Sequence, residues 1–342
     1  MRPQQTAALV FVALALVLVV FSAGCTQSSG TTAGSSTAAP VKEIRIGYQP
    51  STHQMAEITA MKKGWWTQDL APYGVTNVTD TVFPTGAPEM QAMLANQIDV
   101  AYVGAAPVLS AISTGLDAKI VAGVNTQGSD LVIKNDIDYK GPQSLKGLKI
   151  ATFQAGTIQD TLLRNWLTKN NLTPDKDVTL LGMGPGDAVT AMVAGKVDGV
   201  FLPHPSPSVI VSEGKGKIVV HSGEMYPNHT CCVLVVSGKL IREHPEIVEQ
   251  IIRTHEKAVA FNENNTAEAA AIYANATGTK LSDVTTSLAQ WDGKWTTDPN
   301  VIEDSVIEYA NIQYKLGYIT TPLSKEQLFD TSFYNKIHSK TA

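Results

Sequence analysis

Short segments rich in glycine, alanine, serine and threonine follow several predicted strands, and none of them contains an arginine or a lysine. In open α/β sheets, ligands bind beyond the carboxyl ends of the strands, where these segments lie. Small residues at a helix start leave backbone N–H groups free, and such groups bind oxyanions without a formal positive charge. A multiply charged phosphate usually calls on arginine. The segments therefore predict a site for a neutral polar solute or a singly charged oxyanion.

The residues expected to contact this ligand lie in these segments and at the adjoining strand and helix ends. They are Gln49, Ser51, Thr52, Thr85, Gly86, Tyr102, Gly104, Ala105, Gly128, Ser129, Gln154, Thr157, Gln159 and His204. The alternative for each glycine is a tight turn without a ligand. Thr157 and Asp160 have the spacing of a capping box, which would fix one helix start.

His204 lies between two prolines, Pro203 and Pro205, at the end of a predicted strand. An imidazole titrates near neutral pH, so a ligand contact there would make the affinity depend on pH. The alternative is a structural histidine at the surface. If His204 contacts the ligand, its substitution by alanine weakens binding at least about tenfold, which corresponds to one hydrogen bond.

The three cysteines of the chain are Cys25, Cys231 and Cys232. No CxxC pair and no cysteine–histidine spacing typical of a metal site occurs. Adjacent cysteines rarely form a disulfide with each other, because the geometry strains the peptide between them. We therefore expect Cys231 and Cys232 to be small buried residues of a strand. The sequence predicts no catalytic residues, no metal ligands and no cofactor, and hence no enzyme.

Strands and helices alternate over most of the chain, which is typical of an α/β protein with a mostly parallel sheet. Residues 43–49 alternate apolar and polar side chains and predict a strand, and 56–63 predict a helix. A second strand is predicted to begin at 81–83, followed by a helix that Pro88 opens. Residues 98–103 predict the next strand.

The same pattern then begins again in the second half of the chain. Residues 92–99 recur, without a gap, as residues 191–198. Each copy contains a helix end, a turn and an aspartate, Asp99 or Asp198, before an apolar strand. Two copies of one α/β unit predict two similar, Rossmann-like lobes. The alternative is that any helix-turn-strand unit looks alike.

The last third of the chain predicts a return to the first lobe. Helices that each have one apolar face need a partner, and the first lobe offers one. The predicted domains are lobe 1, residues 41–131 plus 232–342, and lobe 2, residues 132–231. Two connecting strands would form a hinge that permits closure around a ligand. Helices are predicted at 245–262, 267–274, 281–290, 299–316 and 324–329.

An apolar run at 7–21 follows Arg2 and ends shortly before Cys25. The run is short for a membrane-spanning helix and typical of a signal peptide. We predict a signal peptide over 1–24, a lipid on Cys25 and a flexible tether over 25–40. The alternative is an uncleaved anchor, and both place the folded body outside the cytoplasm, at the cell surface or the periplasmic face of the membrane. The net charge of −5, without a basic stripe, argues against nucleic-acid binding.

Six segments of the chain together resemble the periplasmic binding proteins of the nitrate/sulfonate/taurine/bicarbonate group, which also contains a thiamine-precursor-synthase-like domain. One of them is the run MLANQIDVAYVGAAPVLSAISTG. Their order and spacing carry the resemblance, because no single segment is decisive. The matching segments are 44–50, 63–66, 93–115, 144–167, 192–207 and 231–252.

The resemblance implies an α/β, type II periplasmic-binding-protein fold with two lobes joined by a two-strand hinge. It also implies a monomeric, lipid-anchored solute-binding protein that delivers a small polar or anionic solute to the permease and ATPase of an ABC importer. His204 would contact the anion from the second lobe. Two alternatives stay open: a binding module of a sensory system, and an enzyme like the pyrimidine-precursor synthases. The cysteine-rich, iron-associated motif of those synthases is absent from this sequence.

Overall fold

The computed structural model describes residues 39–339. The predicted signal peptide, Cys25 and nearly all of the predicted tether lie outside the described residues. Within 39–339, no helix has both the length and the apolar character needed to span a membrane.

Strands and helices alternate along the first two thirds of the described chain, and helices dominate the last third. The strands are β1 (Glu43–Tyr48), β2 (Asn77–Val82), β3 (Val100–Gly104), β4 (Ala118–Thr126), β5 (Ser129–Ile133), β6 (Lys149–Thr152), β7 (Thr179–Gly182), β8 (Gly199–Pro203), β9 (Lys217–His221), β10 (Thr230–Ser237) and β11 (Lys294–Trp295). The helices are α1 (Met55–Lys62), α2 (Trp65–Leu70), α3 (Gly86–Leu94), α4 (Ala105–Ser113), α5 (Ile158–Lys169), α6 (Pro185–Val193), α7 (Ser206–Ser212), α8 (Ser222–Met225), α9 (Gly238–Glu243), α10 (Pro245–Asn264), α11 (Thr266–Thr277), α12 (Leu281–Gln290), α13 (Glu303–Leu316), α14 (Lys325–Leu328) and α15 (Ser332–Ser339). Short 3-10 helices cover Thr52–Gln54, Ala71–Tyr73 and Pro142–Leu145.

The first sheet has the strand order β11-β4-β10-β3-β1-β2. Strand β1 runs parallel to β2 and β3, whereas β10 runs antiparallel to both β3 and β4. Parallel neighbours need a crossover connection, which explains the helices between β1, β2 and β3. The late strand β10 therefore enters the middle of a sheet that residues 43–126 had begun.

The second sheet has the strand order β7-β6-β8-β5-β9. Strand β6 runs parallel to β7 and β8, and β5 runs antiparallel to β8 and β9. Both sheets thus combine a parallel α/β part with an antiparallel strand, which agrees with the two similar lobes that the internal repeat predicted.

The chain passes between the sheets twice. The first passage is the pair Gln127 and Gly128, between β4 and β5, and both residues have positive φ, 56° and 90°. The second passage is the segment between β9 and β10, which includes α8. The strand orders of the two sheets show where the chain passes from one sheet to the other, but they do not define the first and last residue of each lobe. The domain limits given in the sequence analysis therefore stay a prediction.

Side chains of β5 alternate between two separate apolar clusters of the second sheet. Leu131 and Ile133 pack with α5 residues such as Leu162, whereas Val132 packs with α6 and α7 residues such as Met192. This alternation follows from the two-residue period of a strand covered on both faces. A third and larger cluster surrounds the first sheet and includes most of the C-terminal helices.

The C-terminal helices correspond closely to their predictions. Helix α12 has the predicted bounds, and α10 begins at Pro245 as predicted. The helix predicted at 299–316 begins instead at Glu303, because Asn300 donates to Asp298 in a local turn after Pro299. The strand predicted to begin at 81 begins four residues earlier, at Asn77.

Candidate ligand site between the two sheets

One narrow pocket lies where strands from both sheets end, and its cavity volume is about 30 Å³. Its lining includes the first residues of α5, α6 and α7 and also Gly104, the residue before α4. The first turn of a helix has backbone N–H groups without partners inside the helix. Among the described residues that line the pocket there is no lysine and no arginine. Polar contacts there depend on other polar side chains and on backbone amides.

Five of the residues predicted to bind the ligand line this pocket. Gln49 and Ser51 follow β1, Gly104 ends β3, and Gln159 and His204 come from the second sheet's side of the pocket. Predicted residues from both lobes therefore line one pocket, and their contact with a ligand stays a prediction.

The other predicted residues lie nearby but outside the lining. Tyr102 is fully buried, and its hydroxyl lies 3.0 Å from Nδ1 of His255 in the core of the first lobe. Thr157 caps α5, and its side chain accepts from the N–H of Asp160, as the capping-box spacing predicted. The remaining seven positions outside the lining are Thr52, Thr85, Gly86, Ala105, Gly128, Ser129 and Gln154.

The pocket also has lining residues that were not predicted to bind the ligand. His53 stands two residues after Ser51, so the strand-end rule already pointed to its segment. Phe153, which follows β6, lines the pocket, whereas Tyr48 at the end of β1 does not. The lining residues not predicted are Pro50, His53, Pro84, Phe153, Ile158, Pro185, Pro203, Ser206, Cys231 and Cys232.

Both ring nitrogens of His204 have protein partners. Nε2 lies 2.7 Å from Oδ2 of Asp130, and Nδ1 lies 2.8 Å from Oγ of Ser287 on α12. The side chain is fully buried, not exposed at the surface. In this arrangement His204 borders the pocket and joins β8 to α12, and its ring has no nitrogen left for a solute.

Asp130 accepts from two histidines. His221 Nδ1 lies 2.8 Å from Oδ1 of Asp130. Burial alone would raise the pKa of Asp130, but the hydrogen bonds from His204 and His221 outweigh burial and lower it. The hydrogen bond with Asp130 raises the pKa of His221, against the smaller opposite effect of burial. The lowered pKa favours the ionised form of the Asp130 side chain, which lies behind the pocket.

Gln49 links the pocket to a buried acid. Its side-chain amide donates to Oε2 of Glu89, and its backbone N–H donates to Oε1 of Gln54 at 2.6 Å. Burial raises the pKa of Glu89 well above its ordinary range, and the hydrogen bond from Gln49 offsets this only in part. Among the described residues, Oε1 of Glu89 has no hydrogen-bond partner. The fold therefore favours a neutral Glu89.

Cys231, Cys232 and His53 form the polar floor of the pocket. The two cysteines lie in β10 and are buried, which confirms the prediction that they are buried residues of a strand. Sγ of Cys231 lies 3.3 Å and Sγ of Cys232 lies 3.9 Å from Nδ1 of His53. The hydrogen bond between the thiols lowers the pKa of Cys232 and raises that of Cys231. The pair thus differs from ordinary apolar core residues.

Solved structures share this architecture over most of the chain. The periplasmic nitrate-binding protein NrtA from Synechocystis PCC 6803 matches with a TM-score of 0.76 at 16% identity, covering 89% of this chain and 90% of that one. The alkanesulfonate-binding protein SsuA from Xanthomonas axonopodis pv. citri, bound to MOPS, matches with a TM-score of 0.72 at 21% identity, covering 84% and 96%. The protein therefore has the type II periplasmic-binding-protein fold, as predicted.

Sequence comparison narrows this class to a family. A protein of Bacillus subtilis (strain 168), named as an aliphatic sulfonates-binding protein, is 27% identical over 332 residues, which cover 94% of this chain and 95% of its relative. The model of the NMT1-like family matches residues 37–276. The chain belongs to the NMT1-like family, and this confirms the resemblance read from the sequence.

Proposed function

We propose that the protein is the extracytoplasmic solute-binding component of an ABC importer and that it binds a small neutral polar solute or a singly charged oxyanion. The observation that carries this proposal is the pocket at the strand ends of both sheets, where four helices begin and where, within residues 39–339, no lysine or arginine lines the wall. Backbone amides at helix starts suit an oxyanion of low charge.

The names of the relatives narrow the choice of solute. The Bacillus relative is named for aliphatic sulfonates, and the two structural neighbours are named for nitrate and alkanesulfonate. Each of these solutes presents planar or tetrahedral oxygens to hydrogen-bond donors. We therefore propose a sulfonate or nitrate as the solute, bound between the lobes with Gln49, Ser51, Gln159 and the helix starts as its contacts.

A thermal-shift screen with an aliphatic sulfonate, taurine, nitrate and bicarbonate tests the proposal. A ligand at a hundred times its Kd stabilises the fold by about 2.7 kcal/mol, which raises Tm by several degrees. Ser206→Trp at the start of α7 should fill the pocket and abolish the shift. Ser212→Trp, at the exposed end of the same helix, is the matched control and should preserve the shift. A shift that survives in Ser206→Trp would contradict binding in this pocket.

We propose further that Cys25 carries a lipid and that residues 25–40 tether the folded body, as a monomer, near the permease. The support is the apolar run before Cys25 and the uncharged tract after it. In cells, Cys25→Ser should move the protein from the membrane fraction to the soluble fraction. Retention in the membrane would favour an uncleaved anchor instead.

A further inference from the structure

Three potential metal ligands converge on the floor of the pocket. His53 lies in the 3-10 turn after β1, and Cys231 and Cys232 are neighbours in β10. All three are buried, and one ligand atom from each lies within 4.8 Å of the others. They also line the pocket, so the cluster is next to the proposed solute site.

The imidazole of His53 has the orientation that is usual for a histidine that binds a metal ion. Its Nε2 lies 2.6 Å from the carbonyl oxygen of Gly128. A carbonyl oxygen only accepts, so Nε2 carries a proton, and in the neutral form of the ring the lone pair is therefore on Nδ1. Nδ1 is the nitrogen that faces both sulfurs. Histidines that bind metals usually donate their other N–H to a backbone carbonyl or a carboxylate in this way.

The separations between the three atoms match a tetrahedral site. The two sulfurs are 3.8 Å apart, and Nδ1 lies 3.3 and 3.9 Å from them. A zinc ion with Zn–S near 2.3 Å and Zn–N near 2.0–2.1 Å would place the sulfurs about 3.8 Å apart and each sulfur about 3.6 Å from the nitrogen. One ion therefore fits among the three side chains without a large movement of any of them.

Amide groups surround the sulfurs as donors. Nε2 of Gln54 lies 3.5 Å from Sγ of Cys232, and Nε2 of Gln159 lies 3.8 Å from Sγ of Cys231. Metal binding requires thiolates, and N–H donors favour negative sulfur. A disulfide is a poor alternative for this pair, because a sulfur–sulfur bond needs about 2.05 Å and strains the peptide between adjacent cysteines.

We propose that His53, Cys231 and Cys232 bind one thiophilic d10 metal ion, with Zn²⁺ as the best geometric fit. Cu⁺ has the same preference for thiolate ligands, and the titrations below distinguish the two ions. Three protein ligands leave a fourth position open, as in catalytic zinc sites, and here it faces the pocket. An oxygen of the solute would take that position; this part of the proposal rests on the proposed function.

Titration of the metal-free full-length chain with Co²⁺ under reducing conditions tests the site. We expect one ion per chain, a thiolate-to-cobalt charge-transfer band, and displacement of Co²⁺ by Zn²⁺. His53→Ala and Cys231→Ser should each weaken binding at least about 100-fold. Cys25→Ser replaces the third cysteine and is the matched control, which should bind as the natural chain does. Tighter binding of Cu⁺ than of Zn²⁺ would support the site and assign it to copper.

Two results would overturn the metal site. One is the absence of a charge-transfer band in the natural chain, and the other is unchanged stoichiometry after replacement of both Cys231 and Cys232 by serine. X-ray absorption of the Zn²⁺-loaded natural chain gives an answer that does not depend on the folding of any variant. Two sulfurs and one histidine nitrogen are expected, and a shell of only nitrogen and oxygen would refute the site.

Solute binding with and without the ion separates the two proposals. The thermal-shift screen is repeated on Zn²⁺-loaded and on chelator-treated protein. If solutes bind equally to both forms, the fourth-position contact is wrong and the proposed function stands. If Zn²⁺ binds at the cluster but no solute binds in either form, the metal site stands and the proposed function fails.

Discussion

His204 and Asp130 form a fully buried hydrogen bond of 2.7 Å beside the pocket. Strands β5 and β8 run antiparallel, and Ser129 pairs with Pro203, so the residues that carry the two side chains are close in space. The second oxygen of Asp130 accepts from His221. A buried carboxylate whose two oxygens both have donors is stable in its ionised form.

Replacement of Asp130 by asparagine should destabilise the fold by about 3–5 kcal/mol, the usual effect of removing one partner of a buried charged pair. The amide has the shape of the carboxylate but leaves two imidazoles without an anionic acceptor. Urea unfolding of the variant measures this loss. Asp136→Asn, at an exposed position in the same lobe, is the control and should change little. Equal losses in both variants would show that the charge of Asp130 is unimportant.

Asp130 and His221 together should make stability depend on pH. The pKa of His221 is raised in the fold, so its contribution is complete below its ordinary pKa of 6.5 and is lost as pH rises through the folded value. The pKa of Asp130 is lowered, so its contribution is complete above its ordinary pKa of 3.8 and is lost as pH falls through the folded value. Tm measured against pH should therefore decline on both sides. In His221→Gln the decline above 6.5 should become smaller, and an unchanged slope would contradict this account.

Ser287 on α12 should be energetically coupled to His204. The two side chains are 2.8 Å apart, and they join the second sheet to a helix of the C-terminal segment. A double-mutant cycle with Ser287→Ala and His204→Gln should give a coupling energy of roughly 0.5–1.5 kcal/mol in urea unfolding. Ser282→Ala, at an exposed position of the same helix, should show no coupling to His204→Gln. Additive effects of Ser287→Ala and His204→Gln would refute a direct interaction.

The internal repeat predicted the two lobes because it preserves a structural role. Asp99 accepts from the backbone N–H of Arg45 at 3.0 Å, and Asp198 accepts from the N–H of Lys149 at the same distance. Each aspartate thereby fixes the start of a strand in the first α/β unit of its own lobe. Such a local role leaves a recognisable pattern in the sequence, and so does the apolar alternation of the strands.

The polar floor of the pocket could not be predicted in this way. His53 and Cys231 are 178 residues apart, and they meet only because β10 returns to the middle of the first sheet. No local spacing records that return. Tyr102 shows the same limit, because the alternation of β3 does not tell which face adjoins the pocket and which adjoins His255. The ends of predicted strands indicate where a site lies, but only the packed structure shows which face of a strand adjoins that site.

Gly128→Ala should disturb the pocket floor and lower stability by about 1–3 kcal/mol. Gly128 has a φ of 90°, and an added Cβ would lie 2.7 Å from Nε2 of His53 and 2.8 Å from Trp291. The matched control is Gly195→Ala, which also has a positive φ but has no atom within 4 Å of the added Cβ. The control should lose about 1–2 kcal/mol of stability, which is the effect of a side chain on a residue with positive φ alone. Solute affinity should fall in Gly128→Ala alone, and equal affinities in both variants would contradict a role for this contact.

Glu89→Gln should stabilise the protein, and the gain should grow with pH. Burial raises the pKa of Glu89, so the natural fold loses stability as pH rises from the ordinary value of 4.5 towards the folded value. Glutamine has the same shape and no proton to lose, so the variant lacks this decline. We expect the gain to be larger at neutral pH than near pH 4.5, measured by urea unfolding at several pH values. Glu213→Gln, at an exposed position after α7, should give a curve parallel to that of the natural chain. If Glu89→Gln also runs parallel, then Glu89 is ionised in the folded protein and its unpaired oxygen is solvated.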